Sequence, residues 1–260
     1  SSVDLPEPEA PMMATDSPDL ISSVIPFSIS NSVPAMGTRF WRLSHLIIQR
    51  FLYCRIRNSL AIGCLLLALT GQAFADETKI LVLGDSISAA YGMSLEQGWV
   101  AKLAVYLKER DAGIQVVNAS ISGETTAGGL RRLPLLLQEN QPSMVIIELG
   151  ANDGLRGYPL NTLYDHLKRL VEMAQQAGAK VILLPMEIPP NYGTRYTSGF
   201  RESFRQVALE TDCTLAPFIL DGVATNPTLM QGDGIHPTVE AQPLLLDNVL
   251  PTVIAVLDKS

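Results

Sequence analysis

Four short polar motifs punctuate an otherwise apolar stretch of chain: Gly84-Asp85-Ser86, Ser122-Gly123-Glu124-Thr125, Gly150-Ala151-Asn152-Asp153 and Asp233-Gly234-Ile235-His236-Pro237. Their residue types make up a complete acyl-transfer set. A serine hydroxyl is a poor nucleophile at its own pKa, so Ser86 needs a base, and His236 is suited to take its proton and return it to a leaving group. Asp233, three residues before His236 in the same loop, can hold the imidazole in the right tautomer and stabilise its cation. The tetrahedral oxyanion needs donors already in place. The backbone N–H groups of Ser86 and Gly123 and the side-chain amide of Asn152 are the natural three.

Each motif also has a plainer reading when taken singly. Gly-Asp-Ser is a common strand-to-helix turn with a capping serine, Gly123 can serve only to allow a turn, and Asn152-Asp153-Gly154 is a turn signal. The combination argues otherwise, because each motif supplies a different catalytic part. A competing enzyme reading makes Asp85, Asp153, Asp233 and His236 an oxygen-rich metal site for phosphoester hydrolysis. That spacing matches no recognised site and leaves Gly123 and Asn152 without a task, so neither metal nor cofactor is expected. An α/β-hydrolase would require a Gly-x-Ser-x-Gly elbow, which the segment after residue 75 lacks. A non-enzymatic alternative is a flavodoxin-like module whose polar crevice merely binds.

The elements that must position these motifs are legible as alternating patterns. Short Val/Ile/Leu runs predict strands at 79–83, 115–118, 144–149, 180–184 and 214–218. Nearly continuous apolar character suits a parallel sheet buried on both faces. Helical periodicity lies between them, near 99–111, 128–139, 160–177 and 198–210, with a last helix near 239–257 interrupted by Pro243 and Pro251. Five βα repeats predict an α/β fold: a three-layer α/β/α sandwich around a five-stranded parallel sheet. Ser86, Gly123 and Asn152 then follow the first three strands and His236 follows the fifth, at the carboxyl edge where open α/β sheets bind ligands. His166 falls opposite the apolar stripe Leu160, Leu163, Tyr164, Leu167, Leu170 and Val171, and is expected to be a solvated helix residue. Tyr91, Trp99 and Tyr106 are expected to pack helix against sheet.

Residues 1–54 read as a disordered or extraneous extension, rich in Ser and Pro before residue 35, and Met36 is a candidate true start. Residues 55–75 read as a secretory signal peptide: arginines, the apolar run 60–69, then Ala73-Phe74-Ala75 before a charged segment. The run is too short to span a bilayer as a helix, so no stable membrane anchor is expected. Cleavage after Ala75 leaves 185 residues, enough for one domain at 76–260, periplasmic or secreted. The segment before the cleavage site carries five acidic and five basic residues, so the net charge of −7 belongs to the domain, and nucleic acid is excluded as a partner. Only Cys213 lies in the domain, so no internal disulfide is expected and a monomer would rely on core packing.

The run 84–92 with Gly84-Asp85-Ser86, the segment Gly150-Ala151-Asn152-Asp153-Gly154-Leu155-Arg156-Gly157, the loop Ile188-Pro189-Pro190-Asn191-Tyr192-Gly193 and the Asp233-to-Pro237 motif together resemble the SGNH, or GDSL-type, hydrolases. More narrowly, they are similar to the exported bacterial multifunctional thioesterase I, lysophospholipase and arylesterase group. The resemblance implies a flavodoxin-like fold and cofactor-free hydrolysis of acyl esters and thioesters, with acyl-CoA, lysophospholipid and aryl esters as the substrate class. Leu155, Tyr158, Pro159, Ile188, Pro189 and Tyr192 sit in loops beside the crevice and either line an acyl groove or shield the loops' own packing. A carbohydrate acetylesterase of the same superfamily is the alternative.

Overall fold

The computed structural model describes residues 78–259; the N-terminal extension, the signal-peptide segment and its cleavage site lie outside the described residues. Five strands form one parallel sheet: β1 (Thr78–Gly84), β2 (Ile114–Asn118), β3 (Met144–Glu148), β4 (Lys180–Leu183) and β5 (Thr214–Leu215), in the order β2-β1-β3-β4-β5. Among the described residues six α-helices accompany them: α1 (Trp99–Arg110), α2 (Thr126–Asn140), the single-turn α3 (Ala151–Leu155), α4 (Leu160–Gln176), α5 (Thr194–Thr211) and α6 (Gln242–Leu257). Helix α1 packs on α6, while α2 packs on α4 and α4 on α5, which gives the expected three layers.

Apolar residues on both faces of the central strands explain this sandwich. Ile80, Leu81, Val82 and Leu83 of β1 and Val145, Ile146 and Ile147 of β3 are fully buried, so both faces of the sheet must be covered. Helix α4 presents Leu163, Leu167, Leu170 and Val171 to that core, and α5 presents Phe200, Phe204 and Val207. Trp99, Leu103 and Leu107 of α1 and Leu245, Val249 and Val253 of α6 cover the core from their own pair.

Two expectations are corrected. The fifth strand is two residues long rather than five. Ala216 still donates to Leu183 O at 3.0 Å, but Pro217 has no N–H to continue the ladder, so the chain leaves the sheet there. The last helix runs without a break from Gln242 to Leu257. Pro243 sits in its first turn, where no intrahelical donor is required, and Pro251 is accommodated inside the helix.

The sheet order places β2 and β3 on opposite sides of β1, and Gly84 pairs directly with Glu148 at the carboxyl ends of β1 and β3. That is the topological switch point of the sheet. The chain segments bearing Ser86 and Asn152 diverge from it, and the crevice between them is where a ligand of such a sheet binds.

Candidate active site

Ser86 follows β1 in a tight turn with a specific lock. Asp85 Oδ1 accepts from Ile87 N at 3.1 Å, and Ala89 N and Tyr91 N donate to the Asp85 and Ser86 carbonyls at 2.9 and 3.1 Å. The turn also needs Gly84, because a Cβ there would lie 2.7 Å from Ser88 Cβ and 2.8 Å from Glu148 Oε2. Ser86 is thereby held nearly buried, with its hydroxyl turned toward the loop that carries His236.

An imidazole and a carboxylate converge on that hydroxyl. His236 Nε2 lies 2.8 Å from Ser86 Oγ, and His236 Nδ1 lies 2.6 Å from Asp233 Oδ2. Asp233 Oδ1 accepts the backbone N–H groups of Ile235 and His236 at 2.9 and 3.0 Å, so one short loop fixes both side chains. The His236 hydrogen bond, reinforced by those two N–H groups, holds the Asp233 carboxyl down at about 2. The carboxylate therefore stays ionised wherever the imidazole must carry a proton.

Gly123 and Asn152 approach from the next two segments. Gly123 adopts φ +78°, a conformation open to glycine, and its carbonyl accepts from Arg156 Nη2 at 3.1 Å. Asn152 lies in α3, and its Nδ2 donates to Asp85 Oδ2 at 3.0 Å. The Gly123 and Asn152 segments are tied together beneath the surface. Asp153 Oδ2 accepts from Thr126 N at 2.9 Å and Asp153 Oδ1 from Thr126 Oγ1 at 2.6 Å, joining the start of α2 to α3.

Several functional residues escape sequence reasoning. His166 is half-buried rather than solvated: its Nδ1 lies 3.1 Å from Thr126 Oγ1, whose only proton goes to Asp153, so the imidazole donates to the threonine. Tyr91 does not pack helix to sheet; it is 49% exposed and its ring lies against His236 at a centroid distance of 4.2 Å, tilted by 33°. Tyr106 is likewise exposed, and of the three aromatics only Trp99 is buried as expected. Gln231 carries no sequence signal, yet its Nε2 donates to Tyr91 O and Pro237 O, both at 2.9 Å, and so ties the turn after Ser86 to the loop that carries His236. The one readable hint was Glu148, an acid closing an apolar strand. It is fully buried beside Ser86's turn, and burial pushes its carboxyl well above the usual range.

The loop residues expected beside the crevice are brought together. Tyr192 Oη donates to Leu155 O at 2.7 Å, and Tyr196 Oη to Tyr158 O at 2.6 Å, joining the end of α3 and the residues after it to the loop before α5 and the first turn of α5. Tyr158, Pro189 and Tyr192 are exposed and Leu155 is half-buried, whereas Ile188 is buried against Gly154 and serves packing. Of the four residues considered as metal ligands, each carboxylate is engaged by N–H or O–H donors of the protein. Among the described residues no group of three or more His, Cys, Asp or Glu is placed to hold a metal ion.

This geometry coincides with what the chain is similar to. Residues 82–243 match the GDSL-like Lipase/Acylhydrolase family. The chain is 50% identical over 198 residues to Esterase TesA of Pseudomonas aeruginosa, covering 76% of this chain and 98% of that protein. The chain belongs to the GDSL-like lipase/acylhydrolase family. It is also 42% identical over 182 residues to thioesterase 1/protease 1/lysophospholipase L1 of Escherichia coli K12, covering 70% of this chain and 86% of that protein. Among solved structures, the psychrotrophic esterase EstA from Pseudoalteromonas sp., inhibited by monoethylphosphonate, superposes with a TM-score of 0.66 at 44% identity, covering 70% of this chain and 99% of that one. The SGNH-type family and the α/β fold expected from the sequence are thus both borne out.

Proposed function

We propose that Ser86, His236 and Asp233 are the catalytic triad of a serine esterase and thioesterase, with Ser86 N–H, Gly123 N–H and the Asn152 amide as its oxyanion hole. The observation that carries the reading is the unbroken relay Asp233 Oδ2, His236 Nδ1, His236 Nε2, Ser86 Oγ, at 2.6 and 2.8 Å. The enzyme is a hydrolase of acyl esters and thioesters, in keeping with relatives named esterase and thioesterase. As Ser86 Oγ attacks the acyl carbon, its proton passes to His236 Nε2 and the carbonyl electrons move onto the oxygen facing the three donors. Collapse of that intermediate breaks the bond to the alcohol or thiol, which leaves with the proton from His236. Water, deprotonated by His236, then attacks the acyl-enzyme, and the carboxylic acid departs as Ser86 is regenerated.

Leu155, Tyr158, Pro189 and Tyr192 form the rim that receives the acyl chain, an assignment supported by the tyrosine hydrogen bonds that join their two loops. A chain-length series of p-nitrophenyl esters and acyl-CoAs tests it. Each further buried CH₂ contributes about 0.8 kcal/mol, so kcat/KM rises from acetyl to medium or longer chains. An acetyl-only profile would instead identify a carbohydrate acetylesterase. We further propose that residues 76–260 are the mature domain, exported by the signal peptide at 55–75 and acting as a monomer on small-molecule or lipid acyl substrates. Among the described residues no helix is long and apolar enough to cross a membrane.

A further inference from the structure

Two carboxyl groups lie buried beneath the nucleophile, and the reaction as described uses neither. Asp85 is 1% exposed and Glu148 fully buried, and they are adjacent: Glu148 Oε2 accepts from Asp85 N at 3.3 Å and from Ser88 Oγ at 2.8 Å. Two such groups do not both ionise in one apolar pocket. Their hydrogen bonds say which one keeps the charge. Both oxygens of Asp85 face N–H donors, Ile87 N at 3.1 Å on Oδ1 and Asn152 Nδ2 at 3.0 Å on Oδ2. Glu148 receives both its donors on Oε2, and its Oε1 meets no donor, which leaves that oxygen to carry a proton.

A carboxylate can only accept, and this decides the orientation of its neighbour. An asparagine amide has nearly the same shape in its two orientations, and they differ by exchanging an acceptor for a donor. With Oδ2 of an ionised Asp85 against it, the end of Asn152 on that side must be the nitrogen. One N–H of the amide is then spent on Asp85, and the other remains for a substrate oxyanion.

We propose that Asp85 is a positioning residue for the reaction: its carboxylate selects the orientation of the Asn152 amide that presents N–H, and not oxygen, to the oxyanion. The proposal rests on the reading of Asn152 as the third oxyanion donor. Asp85→Asn leaves volume and shape intact and changes only which groups donate and which accept. The Ile87 N–H is fixed by the backbone, so the carbonyl of the new amide turns toward it and its NH₂ turns toward residue 152. Asn152 must then present its own oxygen there. An acceptor now stands where the oxyanion develops.

The test is a double-mutant cycle at pH 8 on a p-nitrophenyl ester, with kcat and KM read for D85N, N152A and D85N/N152A, and folding checked by circular dichroism. Loss of one oxyanion donor costs roughly 10² to 10³ in kcat. D85N is expected to lose as much, with KM changed by less than about threefold, and the double variant is expected to be no slower than N152A alone. A residue supporting only the fold would add its effect to that of N152A. Multiplied losses in the double variant, or D85N within tenfold of the wild-type kcat, would overturn the proposal while leaving the oxyanion hole intact. Near-full kcat in N152A would overturn the oxyanion assignment, and the role of Asp85 with it. The same cycle run with D85A, which introduces no competing donor, reads the coupling even where D85N folds poorly. There D85A is expected to retain more kcat than D85N, and the reverse order contradicts the mechanism.

Discussion

At the scale of single residues, Asp85 also leaves a signature in stability. Its carboxyl is raised from 3.8 to about 6 by burial, partly offset by hydrogen bonds from Ile87 N–H and the Asn152 amide. The charged and titratable groups facing it are Glu148 from β3, Asp153 from α3 and His236 from its loop, the first of them with its own carboxyl pushed well up by burial. The unfolded chain releases the Asp85 proton near 3.8 and the folded one near 6. Between those values the native state binds the extra proton, so this group's contribution to stability falls as pH rises through the window. About two pKa units correspond to on the order of 3 kcal/mol, or roughly 6–12 °C in melting temperature for a domain of this size. Asp85→Asn has no such term. Its melting temperature relative to wild type is therefore expected to rise between pH 4 and pH 8 by about that much, and a difference independent of pH would contradict the burial argument. That Ser86, His236 and Asp233 would meet was readable from the sequence because a hydroxyl, an imidazole and a carboxylate carry distinct chemistry. The parts played by Asp85, Tyr91, His166 and Gln231 were not, since each depends on which neighbour the fold turns toward it. Tyr91 shows this most directly: nothing in its sequence context distinguishes a packing aromatic from one laid over the imidazole of a residue in a distant loop.

At the scale of elements, the placement of Gly123 and Asn152, two of the three proposed oxyanion donors, depends on the helix starts beside them. Thr125 caps α2 by accepting from Gly128 N at 3.3 Å, and Thr126 then bonds Asp153 in α3 through both its backbone and its hydroxyl. Thr126 is fully buried and Asp153 nearly so. Thr126→Val keeps the shape and removes one donor from a buried carboxylate, leaving the His166 nitrogen without its acceptor as well. The expected cost is about 1–3 kcal/mol in stability, together with a fall in kcat as the Gly123 and Asn152 segments loosen. Thr126→Ser, which restores the hydroxyl, is expected to recover most of both in chemical denaturation and steady-state assays; equal losses in the two variants would assign the effect to packing instead. Strand and helix positions followed from apolar periodicity almost throughout, because strands buried on both faces leave a continuous signal. The exceptions have local causes. Strand β5 ends early where Pro217 lacks a donor, α2 begins two residues sooner because Thr125 caps it, and α3 is a single turn too short for periodicity to reveal.

At the scale of the whole molecule, the site exists because one sheet order brings residues 150 positions apart into hydrogen-bond contact. The order β2-β1-β3-β4-β5 opens the crevice between the segments that follow β1 and β3, and the loop before α6 closes on it with His236. That convergence was foreseeable from the alternation of strands and helices, which sends every motif to the carboxyl edge. The distances that turn it into a relay were not, because they are set by Gln231, the Asp85 turn and the Asp233 loop acting together. The central claim is that Ser86 Oγ is the nucleophile of this relay, and the intact mass of the protein after treatment with a p-nitrophenyl alkylphosphonate tests it most directly. The expected product is a chain beginning at Asp76 with one phosphonyl group on Ser86, activity lost in step with labelling, and no adduct on the Ser86→Ala variant. An unlabelled enzyme that keeps its activity, or an adduct on any other residue accompanying its loss, would contradict the account.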